Sequence, residues 1–565
     1  MRLSLLFAAA APLILLAACA TAPGSAPGGD APMAANGSSY GMFLAGEQAL
    51  NKGRSGEAAQ FFEKARVATG DPMIGEKAFT AALLSGDIAK AAALAPGDET
   101  ASESTKRLGK LVVAVEAMAG GRGKEAQALL ANNAVPFPHN SAAALLAPWA
   151  AAQAGDVEAS LVRPQVRGDR LVDYFGQLGQ AALFERAKRY DEAETDFKAA
   201  VSTGAPTEMS VTSYGGFLER RGRKVDALAL YGEQLAREPD SVVVKAAQAR
   251  AAAGKPPPAI PTIREGAAQA MLAPAATMIA GKQTQYALGY LRMILRLDPQ
   301  KDDAWLMVGD LMVGAGDTEA ARAAYGHPKP GSPGFSTGQA KLAWTYQNAD
   351  DKVTALRLAR TAAASGDVDA RITLADLLRA DEQYAEAVSV FASLIAEQKT
   401  PDWRLLYSRG VTRERLNRWD DAQADLRAAL LQRPDEPELL NYLGYSWIDR
   451  GEHLAEARGM IEKAVASDPR SGAMVDSLGW AFYRMGDFKS AVEKLEEAVE
   501  LDAGDPEINN HLGDAYRRVG RRDEAQFQWR RVLTLNPDPK IKLNAETKLA
   551  SGLGPDGPAP KLADK

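Results

Sequence analysis

Gly410, Gly444, Gly479 and Gly513 follow one another at intervals of 34, 35 and 34 residues. Each sits in a stretch of helical apolar spacing that leads through a polar or glycine-containing turn into a second such stretch. This period constrains the chain more than any other feature, because a two-helix unit of that length cannot cover its own apolar faces and must stack on its neighbours. The unit from Pro506 shows the full pattern, with Leu512, Gly513, Tyr516, Ala525, Trp529 and Pro537 at unit positions 7, 8, 11, 20, 24 and 32. Small residues at 8 and 20 let the antiparallel helices approach. Large residues at 7, 11 and 24 fill the space around the crossing, and proline at 32 stops the second helix.

The unit from Gly472 keeps Leu478, Gly479, Phe482, Ala491, Leu495 and Ala498 but has Ala503 at the stop. The unit from Pro437 keeps Leu443, Gly444, Trp447, Ala457, Ile461, Ala464 and Pro469, with one extra residue in the turn around Gly451. The unit from Trp403 keeps Gly410, Ala422, Leu426, Ala429 and Pro434. Weaker copies begin at Asp302, Glu208, Tyr174 and Ser39, so about a dozen units are expected over 39–537. The pattern closely resembles the tetratricopeptide repeat (TPR), and the resemblance implies an all-α fold, an α-solenoid (superhelix) of such repeats. Aromatic residues make up only 7% of the chain, which favours closely packed helices over sheets. The stretch Val242 to Arg264, with Pro256, Pro257 and Pro258, and the stretch His327 to Pro333 break the rhythm and are expected to bend the row.

The chain begins Met1-Arg2, then the apolar run Leu3 to Leu16, then Ala17-Ala18-Cys19. A basic start, a short apolar middle and a small-residue exit are the parts of an export signal, and the run is short for a membrane span. Leu16-Ala17-Ala18-Cys19 resembles the bacterial lipobox, which implies that the cysteine is acylated and becomes the mature N-terminus. An ordinary export signal ending in a chance cysteine is the alternative. Two or three acyl chains meet the requirement for stable anchoring at about 0.8 kcal/mol per buried methylene. Ala20 after the cysteine, by resemblance to Gram-negative lipoprotein sorting, implies the outer membrane, facing the periplasm. The expected organisation is a lipoprotein signal peptide (1–18), a lipidated cysteine and flexible linker (19–38) and a degenerate N-terminal TPR-like array (39–265). A central TPR array (266–400), regular C-terminal units (401–539) and a capping helix with a disordered tail (540–565) follow.

Local motifs for chemistry are not found. The sequence has no Walker-type phosphate loop, His-Glu-x-x-His helix, G-x-S-x-G elbow or EF-hand loop, and its four histidines and one cysteine lie far apart. No cofactor, no metal and no enzymatic activity are expected. A net charge of −6 offers no basic field for polyanions, so nucleic acid is not an expected partner.

In tetratricopeptide stacks the first helix of each unit lines a concave groove, and the resemblance places particular residues of the regular units there. They are Tyr407, Glu414 and Arg415; Asn441, Tyr445, Ile448 and Asp449; Asp476, Trp480, Tyr483 and Arg484; and Asn510, Asp514, Arg517 and Arg518. Amides, arginines and aromatic faces together suit an extended peptide, whose backbone they can pair and cover. Tyr445 and Trp480 equally suit packing against the next unit, since each follows a glycine that opens room. Arg517-Arg518 with Arg521-Arg522 equally suits a solvated turn. The positions that clamp a free C-terminal carboxylate in chaperone-tail receptors hold Tyr407, Val411, Asn441 and Tyr445, which does not support that recognition.

The stretch from Leu440 to Trp447, the segment Asp476 to Gly486 and the segment Gly513 to Ala525 are more specific than generic repeats. They resemble a proteobacterial group of outer-membrane tetratricopeptide lipoproteins. One type in that group is the adaptor of a periplasmic carboxyl-terminal processing protease, holding the protease and delivering peptidoglycan hydrolases to it. The resemblance implies protein or extended-peptide partners of that kind. A non-proteolytic scaffold for outer-membrane or cell-wall assembly stays open beside it, with an enzyme acting on envelope polymers as a remoter reading.

Overall fold

The computed structural model describes residues 38–97, 101–166, 168–202, 207–239 and 241–553. Cys19, the export segment and most of the linker lie outside them, as does the tail from 554. The described residues form helices and no strand. Contacts divide the chain into two compact units between Ala370 and Arg371.

The first unit contains the pairs α1 (Ser39–Asn51) and α2 (Ser55–Thr69), α3 (Pro72–Ser85) and α4 (Ile88–Ala93), α5 (Glu103–Ala119) and α6 (Gly123–Leu130), α7 (Asn140–Ala154) and α8 (Val157–Ser160). Next come α9 (Arg170–Arg186) and α10 (Tyr190–Ser202), α11 (Glu208–Arg220) and α12 (Lys224–Arg237), then a lone α13 (Val242–Ala252). After it come α14 (Ile263–Ala270), α15 (Leu272–Ala280) and α16 (Thr284–Leu297), α17 (Asp302–Gly314) and α18 (Thr318–Tyr325), α19 (Phe335–Gln347) and α20 (Lys352–Ala363). Helix α21 (Val368–Ala380) carries the division. The second unit continues with α22 (Tyr384–Ala396), α23 (Trp403–Arg415) and α24 (Trp419–Gln432), α25 (Pro437–Arg450) and α26 (Leu454–Ser467), α27 (Gly472–Arg484) and α28 (Phe488–Leu501), α29 (Pro506–Arg518) and α30 (Arg522–Thr534), and ends with α31 (Pro539–Ser551).

Local chemistry sets the helix starts. Asp402, Ser471, Asp505 and Asp538 accept backbone N–H groups at the starts of α23, α27, α29 and α31, and Pro437, Pro506 and Pro539 occupy first-turn positions where no N–H is needed. The turn inside a pair passes through a residue of positive φ, among them Asp350, Glu382, Asn417, Gly451, Gly486 and Gly520. In the pair α25–α26 the extra residue is absorbed by a second such residue, His453 at φ 45°.

The crossing of each regular pair is built as its spacing requires. A Cβ on Gly410 would lie 3.0 Å from Leu426 Cγ, one on Gly479 2.6 Å from Leu495 Cγ, and one on Gly513 2.5 Å from Trp529 Nε1. Gly46 faces Phe62, Gly215 faces Tyr231 and Gly309 faces Tyr325 in the same way, each ring seated where a side chain would otherwise stand. The small partners Ala422, Ala457, Ala491 and Ala525 are fully buried.

Two stretches differ from the reading of the sequence. Val242–Ala252 is helical, capped by Ser241 and buried through Val244, Ala247 and Ala251, so the proline-rich interruption is confined to 253–262. Residues 263–297 do not only extend the row: α14 packs on α7 and α9, and α16 packs on α3, α4 and α5. Arg292 Nε donates to Leu84 O at 3.1 Å, Arg296 pairs with Glu116 through two contacts of 2.8 Å, and Tyr290 OH meets His139 Nδ1 at 2.8 Å. The sequence gives no sign of this return, because alanine, leucine and methionine mark these helices as buried without naming what buries them.

Two substitutions test the backbone argument. Gly513→Leu should destabilise the second unit by about 1–3 kcal/mol in urea denaturation, because Trp529 cannot vacate the crossing without exposing its ring. Glu382→Gly should raise stability by up to about 1 kcal/mol in the same measurement, since an exposed glutamate holds φ 58° there and glycine adopts that conformation without steric cost.

Candidate functional site

The first helices of the second unit, α25, α27 and α29, lie next to one another in sequence order, with α31 against α29 and α23 joined to α25 through side chains. Their facing side chains make a ladder that joins each helix to the next. Tyr407 on α23 meets Tyr442 on α25 edge to face, with ring centroids 5.7 Å apart, and burial pushes the Tyr407 hydroxyl up to about 12. Tyr442 OH donates to Glu414, which also faces Arg450 at 3.7 Å. Tyr445 OH donates to Glu507 Oε1 at 3.2 Å, reaching from α25 to the start of α29. Burial and the carboxylates of Glu507, Asp476 and Asp449 raise the Tyr445 hydroxyl far above its ordinary value.

Between α27 and α29 the ladder becomes a stack. The Trp480 ring lies between Tyr483, 4.6 Å away, and His511, 4.1 Å away, nearly parallel to both. His511 Nδ1 sits 3.0 Å from each carboxylate oxygen of buried Asp476. Arg518 Nε donates to Tyr483 OH at 3.0 Å, and Arg484 Nη1 donates to Asp449 O at 2.7 Å.

At the C-terminal end α31 closes the face. Lys548 Nζ donates to Asn510 Oδ1 at 3.0 Å and to Asp514 Oδ2 at 2.7 Å. Asn510 Nδ2 donates to Asn544 Oδ1 at 3.1 Å, and Trp529 Nε1 donates to Asp514 Oδ1 at 3.0 Å. Burial draws the Lys548 ammonium below the ordinary lysine range, against the opposing pull of Asp514.

The residues named from the sequence therefore fall into three groups. Tyr407, Tyr445, Asp476, Trp480, Tyr483, Arg484 and Arg518 join neighbouring first helices. Asn510 and Asp514 are buried and taken up by α31. Asn441 and Arg517 are half-buried, Asn441 Oδ1 and Trp480 Nε1 are buried atoms with no hydrogen-bond partner among the described residues, and Arg415 is exposed. Cys19 lies outside the described residues.

Glu507, Tyr442 and Lys548 complete the ladder and were not among the residues read from the sequence. Lys548 had a signal: Pro539 follows Pro506 by almost one period, so α31 is spaced as the first helix of a further unit, and Lys548 stands 34 residues after Asp514.

A row of paired helices whose first helices present one joined face defines the class, a helical-repeat protein built to hold other proteins. Models of the tetratricopeptide repeat match residues 372–422, 407–472 and 506–539, and a TPR repeat model matches 479–520. Tetratricopeptide repeats are thus matched within residues 372–539. The chain is 36% identical over 118 residues to the TPR repeat-containing protein PA4667 of Pseudomonas aeruginosa, a match covering 21% of this chain and 20% of that one. The chain thus spans about a fifth of the length of that curated relative. Among solved structures, it is similar to the APC/C hetero-tetramer Cut9-Hcn1, at 15% identity over 92% of this chain and 97% of that chain, with a TM-score of 0.39. It is similar also to MamA, at 21% identity over 30% and 97%, with a TM-score of 0.25.

The His511–Asp476 pair predicts a pH dependence. Burial opposes the imidazolium, but Asp476, with further help from Glu507 and Asp514, outweighs it and raises the His511 pKa above its ordinary value. A group with a raised folded-state pKa contributes stability that is complete below the unfolded value near 6.5 and is lost as pH rises through the folded one. The second unit should therefore lose stability as pH rises above 6.5, and His511→Gln should flatten that slope in melts recorded from pH 6 to 9. Asp476→Ala at pH 6 should cost about 3–5 kcal/mol, the usual penalty of stranding one partner of a buried pair.

Proposed function

We propose that this protein is a lipid-anchored scaffold in the periplasm, tethered to the outer membrane through Cys19, that holds extended segments of partner proteins along the first-helix face of its second unit. The observation that carries the reading is the state of that face. Most of its polar groups are committed to fixing neighbouring helices, which leaves Arg415 exposed and Asn441 and Arg517 half-buried. The carbonyls of an extended peptide backbone are acceptors for the guanidinium donors of Arg415 and Arg517. A face already rigidified by its own ladder loses little conformational freedom on binding.

The finer reading is an adaptor for a carboxyl-terminal processing protease and its peptidoglycan-hydrolase substrates, supported by the sequence likeness at 440–525 and by the lipobox. Tethering two partners on one array raises their effective concentration near the membrane and needs no bond cleavage by the array.

Crosslinking followed by capture from envelopes should recover a serine protease together with at least one cell-wall hydrolase, and deleting the array should slow turnover of that hydrolase. Recovery of membrane-insertion or wall-synthesis machinery instead would make it an assembly scaffold. Arg415→Ala, which removes an exposed guanidinium from this face, should reduce capture about tenfold, equivalent to about 1.4 kcal/mol, without changing the melt. Cys19→Ser should release the protein from the membrane fraction and abolish acyl mass on the mature N-terminus.

A further inference from the structure

In the first unit the face of the first helices α7, α9 and α11 is covered by the chain itself. After α13, residues 253–262 run back as a strap containing Pro256, Pro257, Pro258 and Pro261. Arg220 Nη1 at the end of α11 donates to Pro258 O at 2.7 Å, and Arg186 Nη1 at the end of α9 donates to Pro261 O at 3.0 Å. The strap leads into α14, which packs on α7 and α9.

Strap and helices do not close fully. They leave a cavity of about 210 Å³ bounded by α7, α9, α10, α11, α14 and the strap. Its walls are mostly apolar, with Trp149, Phe175, Leu178, Phe197, Pro258 and Pro261 as the large apolar groups. Gly216 on α11 adds no side chain to this space, whereas the places a Cβ would take at Gly179 and Gly266 are met by the Trp149 ring. Gly266 is forced by packing, since a Cβ there would lie 2.0 Å from the Trp149 ring. At Gly216 the nearest atom is the flexible end of Arg220, 3.1 Å away, so the space in front of it is not taken up by backbone.

The charge on the wall is balanced. Glu185 and Arg220 are the ionic groups lining it; Arg220 Nε and Nη2 each donate to Glu185 at 2.8 Å, and the remaining face of the guanidinium is committed to Pro258 O. An anionic ligand would find no uncompensated cation there. Ser213 and Gln269 add neutral hydrogen-bonding groups to the lining. An apolar cavity of about 150 Å³ suffices to hold benzene in a protein interior, and this one is larger.

We propose that this cavity is a binding site for a small uncharged aromatic molecule of one or two fused rings, with at most one polar group directed to Ser213 or Gln269. The rings of Trp149, Phe175 and Phe197 supply edge and face contacts, and the prolines of the strap close over the ligand. The site is separate from the peptide-holding face of the second unit and does not depend on it.

Indole, titrated calorimetrically into the full chain, tests this. It should bind saturably with one molecule per chain, and indole-3-acetate should bind at least tenfold more weakly, because its carboxylate has no free cation to meet. Gly216→Leu and, independently, Ser213→Leu fill the cavity from α11 with residues of good helix propensity. Each should weaken indole at least tenfold while far-UV circular dichroism remains that of the parent, and for Ser213→Leu, which does not press on Arg220, the melt should remain that of the parent as well. Absence of saturable indole binding, equal binding by the parent and both folded leucine variants, or equal affinity for indole and indole-3-acetate would overturn the proposal.

Discussion

A missing side chain opposite a large one holds each regular pair together. Where Gly479 faces Leu495 or Gly513 faces Trp529, the helices approach until the larger group fills the space that a Cβ would take. Close packing then fixes the crossing without any directional bond, and the next pair inherits its orientation from the surface the crossing presents. The same arrangement at Gly46, Gly215 and Gly309 shows that the degenerate pairs keep this contact even where their other unit positions have drifted. The joined face follows from it, since first helices set side by side at a regular interval bring Tyr445 within reach of Glu507 and Asp476 within reach of His511.

The fold of the second unit was legible because its determinants are periodic. Gly410 and Ala422, the latter with a large residue, Leu426, four positions on, have counterparts in every later unit, with one extra residue in the turn after Gly444, so the pattern announces the contact. The ladder was legible in part. Trp480, Tyr483 and Asp476 were marked by unit position, but position alone does not distinguish a side chain offered to a partner from one that pairs with the next helix. That choice depends on what stands 31 to 35 residues further on, such as His511 and Arg518. The return of α14 and α16 onto α3 to α9 was not legible at all. Its contacts, among them Gly266 against Trp149 and Gly289 against Leu83, join residues with no repeat relationship, and such long-range pairs leave no trace in a single sequence.

The two units treat their first-helix faces differently. In the second, polar groups tie each helix to its neighbour, and α31 closes the end through Lys548. In the first, the strap and α14 are laid over α7, α9 and α11, with main-chain carbonyls of the strap accepting from arginines at the helix ends. The strap thus shows, within the molecule, how an extended proline-rich segment is gripped by a face of this kind: guanidinium groups at the helix ends take the main-chain carbonyls that such a segment leaves unpaired.

The bond between Arg292 and Leu84 O spans 208 residues of sequence, and that between Arg296 and Glu116 spans 180. A row of repeats in nearest-neighbour contact can nucleate anywhere and zip outward, fraying from its ends when it unfolds. A chain closed over such a distance must complete its long loop before those contacts can form, which raises its contact order and slows its folding. The part of the N-terminal unit from α3 to α16 thus gains its closing contacts late. The C-terminal unit can assemble one hairpin at a time.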